Sequence, residues 1–337
     1  MVYELCDPRA AAPLFAGWEE TLVLSCLEQV MGKIYVTDPD HPKSAMAFLG
    51  QFAFYAGEPD RALVMEKPEG LVIMVPSNEQ WAALIEECFP DIPREIRYAI
   101  KKDTKFDPKK LERLIAALPA GYELRKIDGA IYDLCMESEL FIDCVMHFGS
   151  KENYFSLGRG FAALKDGKLA SVASSFSVYR EGIEIEIDTV EEERRKGLAS
   201  AVAAALILDC LKDGLYPSWD AANAESVHLA EKLGYEFSHE YPCYWVSGIF
   251  DSVIPNPDRS GWDALAGRYE RQTDDRRIFD VSYTDGDLYV KADAEGKPQE
   301  RKLYPIGENT FGVLWGDDRV VFCDGGMTVN GQRCRKL

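Results

Sequence analysis

The strongest constraint on this chain is a change of period. From Ile183 to Val190, Ile183, Ile185 and Ile187 alternate with Glu184, Glu186 and Asp188. Such period-two alternation predicts a strand with one buried face. After an acidic turn, Arg194–Lys212 takes a helical period, with Leu198, Val202, Leu206 and Leu208 among its apolar residues and Gly214 just past its end as a C-cap. Strand and helix in direct succession call for an architecture in which a sheet and helices share a core.

The junction itself has chemical potential. A helix start leaves about four backbone N–H groups unpaired and concentrates partial positive charge, so it can hold a phosphate. Gly197 and Ala199 carry almost no side chain there, and Arg194, Arg195 and Lys196 reverse the local charge of a chain whose formal net charge is −19. Arg-x-x-Gly-x-Ala alone is a weak signal. A basic helix start with a small-residue packing face explains it equally well.

Three regions are expected: an N-terminal α/β domain over residues 1–120, a central domain over 121–250 and a small antiparallel β domain over 258–337. In the first, Trp18–Met31 predicts a helix, Gly32–Val36 and Ala45–Tyr55 short strands, and Gly70–Pro76 a buried strand. Ser77 or Asn78 then caps a helix through Trp81, Leu84 and Ile85, and Pro108–Leu118 forms another.

In the second region, Tyr122–Ile127, Gly160–Leu164 and Ala170–Tyr179 read as strands, the last two joined by an Asp166-Gly167 hairpin turn. Tyr216–Ala221 is a short strand, Ala224–Leu233 a helix ended by Gly234, and Tyr235–His239 and Tyr244–Phe250 final strands. Past Pro255-Asn-Pro257, short alternating runs including Phe311–Leu314 are separated by turns at Asp285-Gly286, Glu295-Gly296 and Asn330-Gly331. They predict a barrel or rolled sheet.

Composition narrows the function. The charge of −19 opposes nucleic acid and anionic lipid, and no apolar run approaches the ~20 residues of a membrane span. The N-terminus shows no secretory pattern, so a cytoplasmic protein is expected. Nine cysteines without C-x-x-C pairs or ligand spacing to the four histidines read as free thiols, with no metal site.

Two stretches in register carry a resemblance. Arg194, Gly197 and Ala199, directly after an alternating strand, resemble motif A of the GNAT superfamily of N-acetyltransferases. Trp219-Asp-Ala-Ala-Asn-Ala-Glu-Ser226, running on to Glu231-Lys-Leu-Gly-Tyr235, resembles its motif B. The resemblance implies a GNAT-like α/β fold with a mixed sheet. It also implies acetyl-CoA as co-substrate, held by Thr189, Val190, Arg194, Arg195, Lys196, Gly197, Leu198, Ala199, Ser200, Asn223 and Ser226. Tyr216–Asp220 and Leu229–Tyr235 further resemble the branch containing zwittermicin A resistance acetyltransferases. The terminal β domain resembles small β domains appended to some serine-hydrolase-like proteins, which implies no activity.

Transfer to an amine requires a base, because a protonated amine is no nucleophile. Glu184 ranks first, Glu186 second, and Asp188 shares their face unless a bulge intervenes. The tyrosine that commonly protonates the thiolate in this family falls at Ala230, so a water, a substrate group or another tyrosine (Tyr235, Tyr241 or Tyr244, with Tyr244 the catalytic candidate) serves, or no acid is needed. The expected function is N-acetylation of a small amine-bearing acceptor. A non-catalytic CoA-binding or sensing protein is the alternative. Oligomeric state is left open by the sequence.

Overall fold

Glycines and caps in the first hundred residues place the elements that later supply half of the site. The computed structural model describes residues 1–89, 92–273, 276–294, 297–313 and 318–337. Contacts group them into two units. One holds Met1–Glu66, Val75–Leu84 and Arg94–Cys243, the other Lys67–Met74, Ile85–Pro93 and Tyr244–Leu337.

In the first unit β1 (Tyr3–Glu4), β2 (Lys33–Val36), β3 (Ser44–Leu49) and β4 (Phe52–Gly57) form an antiparallel meander. The single strand expected over Ala45–Tyr55 is thus a hairpin. Gly50 turns it at φ +61°, and apolar residues on both sides conceal the reversal in the sequence. The helix expected over Trp18–Met31 contracts to α1 (Thr21–Leu27), with Gly17 and Gly32 at φ +86° and +73° on either side of it. Next come α2 (Arg61–Met65), β5 (Val72–Pro76) and α3 (Glu79–Cys88). Asn78 Oδ1 caps α3 by accepting from the amides of Gln80 and Trp81 at 3.0 and 3.1 Å. The sequence reading has no counterpart for β6 (Glu95–Ile100), although Ile96, Tyr98 and Ile100 alternate there with Glu95 and Arg97. After it comes α4 (Pro108–Ala116).

The segment from β7 (Tyr122–Lys126) continues through α5 (Gly129–Met136), α6 (Lys151–Leu157), β8 (Gly160–Lys165), β9 (Lys168–Tyr179), β10 (Gly182–Thr189) and α7 (Leu198–Lys212). It ends with β11 (Tyr216–Ser218), β12 (Asp220–Ala221), α8 (Ala224–Leu233) and β13 (Phe237–Val246). Five of these strands make a mixed sheet in the order β11-β10-β9-β8-β7, parallel only between β10 and β11. α7 packs on it with Leu198, Val202, Leu206 and Ile207 buried against Val172, Ile183 and Ile185. Each fully buried aliphatic side chain of this kind contributes ~1.5–3 kcal/mol. One strand, β13, replaces the two expected at the end of the region, and its first part pairs with β6.

In the second unit Tyr244–Val246 of β13 pairs with Val72–Met74 of β5. The rest is all β: β14 (Gly267–Arg271), β15 (Ile278–Thr284), β16 (Asp287–Ala294), β17 (Lys297–Gly307), β18 (Thr310–Gly312), β19 (Arg319–Cys323), β20 (Gly326–Val329) and β21 (Gln332–Lys336). They close into an antiparallel eight-stranded barrel, the first of the two forms expected. Trp262, Tyr269, Leu288, Phe311, Phe322 and Met327 are among the residues that fill it. The expected turn at Glu295-Gly296 and Leu314 of the expected run lie outside the described residues. No described helix is long and apolar enough to cross a membrane.

Candidate active site

The chain passes from β10 to α7 through a 3-10 turn at Glu191–Glu193 and the basic loop. α7 begins only at Leu198, later than the basic segment suggests. Gly197 sits at φ +85° as a cap without a side chain, and a Cβ placed on it would meet nothing within 4 Å. No side chain of the cap residue therefore covers the start of α7, where the first-turn amides have no intrahelical partner. Arg195 is also left-handed, at φ +61°, which costs an L-residue roughly 1–2 kcal/mol.

Around this helix start lies a groove of about 560 Å³. Ile187, Asp188 and Thr189 line it from β10, Arg194, Arg195, Gly197, Leu198, Ala199 and Ser200 from the loop and α7, and Asn223, Ser226, Leu229 and Lys232 from the α8 side. Of the residues expected to hold a co-substrate, Val190 and Lys196 are outside this lining. Val190 packs against the core, and Lys196 Nζ donates to Glu193 Oε2 at 2.6 Å. Glu193 also accepts from Lys165 at 3.2 Å and from the Tyr122 hydroxyl. Bonds from Lys196, Tyr122 and Lys165 bring its carboxyl down to about 2. Glu193, which also lines the groove, is thereby engaged by cations and a hydroxyl, and Arg194 and Arg195 lie on the same wall.

On the far wall Asn223 Oδ1 caps α8 by accepting from the Ser226 amide at 2.9 Å. Ser226 Oγ in turn accepts from Trp219 Nε1 at 3.1 Å. Trp219, 2% exposed, is where the sheet opens. β10 and β11 pair from Gly182–Tyr216 to Glu184–Ser218 and no further, while Asp220 and Ala221 already pair with Ala99 and Tyr98 of β6. The strand expected over Tyr216–Ala221 is therefore two strands in two sheets. From Ile185 to Thr189, the edge of β10 away from β9 has no strand partner among the described residues. The Thr189 carbonyl at its end accepts from Arg194 Nε at 3.4 Å, and an edge without a strand partner is a place where a ligand can supply the missing backbone bonds.

Carboxylates converge just upstream. The β9–β10 register shifts between Glu184 and Ile185, which pair with Ser177 and Ser175 and leave Phe176 as the extra residue. Glu184 and Glu186 nevertheless line one cavity of about 40 Å³ with Glu20, Asp220, Arg97 and the rings of Phe52, Phe54 and Phe176. Glu184 Oε2 accepts from the Thr21 hydroxyl and lies 3.9 Å from Lys102 Nζ, while Oε1 is buried with no hydrogen-bond partner. Lys102 Nζ donates to Ser218 Oγ at 2.7 Å and to the Trp219 carbonyl at 3.2 Å. Burial works against its charge, but Glu184, Glu20 and Asp220 prevail and hold its pKa above the ordinary lysine value.

Asp220 Oδ2 accepts from Arg97 Nε at 3.0 Å and from the Tyr241 hydroxyl at 2.5 Å, with the Arg97 guanidinium 4.9 Å from the Phe52 ring centroid. Burial, reinforced by Asp188 and Asp143, pushes Glu186 up to about 8. Burial also raises Glu20 to about 7, with Asp220 and Glu184 adding to the rise and Lys102 and Arg97 opposing it. For Asp188 the value is about 6, from burial and Asp143 against Arg194. Glu20 also lines a second cavity of about 250 Å³, together with Trp18, Ser77, Lys102, His239 and Tyr241.

The family model for GNAT acetyltransferases matches residues 12–244. The chain belongs to the GNAT acetyltransferase family. A crystal structure of a GCN5-related N-acetyltransferase-like protein from Streptococcus suis is 44% identical, with TM-score 0.68, over 71% of this chain and 98% of that one. The uncharacterized N-acetyltransferase YdfB of Bacillus subtilis is 29% identical over 243 residues, 67% of this chain and 90% of its own length. The protein is thus an acyltransferase of the acetyl-CoA-dependent GNAT type. Its barrel lies beyond the family match.

The structure sorts the remaining GNAT expectations. Tyr244, the catalytic candidate among the tyrosines, is fully buried in the second unit, and its hydroxyl donates to Glu86 Oε1 at 2.5 Å. The Tyr235 hydroxyl is committed to the Pro217 carbonyl, also at 2.5 Å. Ala230 is buried in the core. Tyr241 is the hydroxyl brought to the carboxylates. Sequence reasoning missed Glu20, Arg97 and Lys102, because no spacing ties them to β10. Asp220 stood inside the motif B phrase, where its charge beside a buried Trp219 was the available signal.

Proposed function

We propose that this GNAT enzyme transfers an acetyl group from acetyl-CoA to a primary amine of a small cationic acceptor. The observation that carries this reading is the grouping of Glu20, Glu184, Glu186 and Asp220 around one aromatic-walled cavity, with Glu184 and Glu186 on the strand that leads into the basic loop. Carboxylates and ring faces together recognise an ammonium group. Residues 1–120 then supply much of the acceptor side (Glu20, Phe52, Phe54, Arg97), and 121–250 supply the co-substrate groove. The likeness to the zwittermicin A resistance branch makes amine-bearing antibiotics the first acceptors to try.

The groove fits acetyl-CoA. Gly197 leaves the α7 amides uncovered, Arg194 and Arg195 line the same wall, and the β10 edge is unpaired beside it. In this reading Arg194, Arg195 and the α7 amides hold the pyrophosphate. The pantetheine arm runs between the open β10 edge and Asn223 with Ser226. When bound, the co-substrate supplies an acetyl group activated as a thioester.

Glu186 removes the proton from the acceptor ammonium. Its pKa of about 8 lies near working pH, where a base combines availability with strength. Glu184, anchored by Thr21 and Lys102, orients the ammonium through the otherwise unpartnered Oε1. Tyr241 stays protonated, because burial drives its hydroxyl pKa well up, and it holds Asp220 toward Arg97.

Thiol release from acetyl-CoA tests the reading. Small primary amines should be accepted, and matched alcohols and carboxylates should not. Transfer to the alcohols, or none to any amine by protein that binds CoA, would reject it.

A further inference from the structure

Glu20 precedes α1 at the N-cap position, where a side-chain oxygen ordinarily accepts from a first-turn amide. Its backbone is extended there, at φ −70° and ψ 118°, and its side chain makes no cap bond. The residue instead borders two cavities. One is the cavity of about 40 Å³ that Glu184, Glu186 and Asp220 also line. The other, of about 250 Å³, takes Trp18, Ser77, Lys102, His239 and Tyr241 into its wall. The first is close to one water's share of liquid volume, about 30 Å³, so it has room for an ammonium head and not for the rest of an acceptor.

More than Glu20 joins the two. Tyr241 on the larger cavity donates to Asp220 on the smaller at 2.5 Å, and Lys102 on the larger lies 3.9 Å from Glu184 on the smaller. The aromatic wall is continuous as well, since Trp18 meets Phe54 edge-on with ring centroids 5.7 Å apart.

Pairing divides the four carboxylates. Asp220 has Arg97 and Tyr241, and Glu184 has Lys102 and Thr21. Glu20 and Glu186 make no ion pair and no hydrogen bond to another side chain among the described residues. Burial raises both, to about 7 and about 8, so each would ionise on the arrival of a cation. Glu184 Oε1 and Asp220 Oδ1 are buried acceptors without a hydrogen-bond partner, on side chains only 6% and 10% exposed. One ammonium brings three donors, enough for these two atoms and Glu186. Glu20 is then left over on the larger cavity. Of the other charged or titratable groups there, Lys102 is bound to Ser218 and Trp219, the His239 ring shares a hydrogen bond with Ser238 at 3.0 Å, and Glu19 adds a second carboxylate.

We propose that the acceptor is a dication, a primary amine whose chain carries a second basic nitrogen. The reacting ammonium occupies the smaller cavity, and the second cation lies in the larger one between the Glu20 carboxylate and the Trp18 ring. The proposal rests on the amine reading above and narrows it to a substrate class.

Steady-state transfer from acetyl-CoA tests this with diaminoalkanes from diaminoethane to diaminohexane, each beside the monoamine and the amino alcohol of the same carbon chain. At the best chain length kcat/KM for the diamine should exceed that for its monoamine about tenfold or more, as for an added charge-assisted hydrogen bond, and the amino alcohol should resemble the monoamine. Glu20→Gln should bring that ratio near parity, while Glu20→Asp, which keeps the charge, should retain most of it. Ser77→Trp, which fills the larger cavity without removing a charge, should also lower the ratio. CoA binding measured on the same samples reports that the variants are folded. Equal use of diamines and monoamines at every length, an amino alcohol as good as the diamine, or a ratio unchanged in Glu20→Gln would overturn the proposal and leave the amine reading standing. Transfer to no amine at all would overturn both.

Discussion

Glu184 and Ser218 are the last residues that β10 and β11 pair in register, and Lys102 contacts both. Its Nζ is 2.7 Å from Ser218 Oγ and 3.9 Å from Glu184 Oε2, so one buried cation ties the two strands where they begin to part. The opening proposed for the co-substrate and the carboxylates proposed for the acceptor are therefore fastened at a single point.

Lys102→Met should be costly for that reason. It strands the Glu184 carboxylate in a buried setting, a change worth about 3 kcal/mol or more. Adding Glu184→Gln to the same chain should recover most of the loss, because the stranded charge goes with it. Urea denaturation of the single and double variants measures this cycle. Additive losses would show that the pair is not coupled.

Gly197→Trp should abolish CoA binding by placing a ring across the α7 amides, where nothing now lies within 4 Å of a Cβ position. Gly197→Ala separates bulk from backbone. It should cost roughly 1–2 kcal/mol of stability at this positive φ and weaken CoA far less. Titration of both variants with CoA, alongside thermal melts, distinguishes the two effects.

Asn223→Ala removes the α8 cap and should lower stability by ~1 kcal/mol. The Ser226 amide loses its partner at the groove wall, so the KM for acetyl-CoA should rise several-fold while kcat changes little. Steady-state kinetics at saturating amine checks the split. A fall in kcat alone would place Asn223 in a different role.

Stability should fall as pH rises across the neutral range. Glu186, Glu20 and Asp188 have pKa values raised to about 8, 7 and 6, so the folded chain holds their protons more tightly than the unfolded chain does. Their contribution is complete below the ordinary carboxylate range and is lost as pH climbs through those values. Thermal melts should show Tm declining between about pH 5 and pH 8, with Glu186→Gln flattening the upper part of the decline. A Tm that rises over this window would contradict the carboxylate environment described.

The sequence made the proposed co-substrate half of the site legible and the proposed acceptor half only in part. Period change, glycine placement and two motifs in register are local signals, and β10, α7, α8 and most of the groove lining follow from them. Glu20, Arg97 and Lys102 reach the carboxylates through tertiary packing, and local pattern does not encode that. The sequence predicts one strand through Trp219 because a sheet switch leaves no mark on apolar periodicity. The Ala45–Tyr55 hairpin is hidden in the sequence because the strands on both sides of Gly50 are apolar. Residue type alone makes Tyr244 a candidate. Its position in β13 directs the hydroxyl to Glu86.

The central claim, that Glu186 is the base for an amine held among carboxylates, is tested most directly by the pH dependence of kcat/KM in the wild type and in Glu186→Gln. With an accepted amine, the wild-type value should fall tenfold per unit below an apparent pKa near 8, as the carboxylate takes up its proton. Glu186→Gln should lose that limb and run about 10²–10⁴-fold slower while binding CoA as before. An unchanged profile in Glu186→Gln would show that the proton leaves by another route.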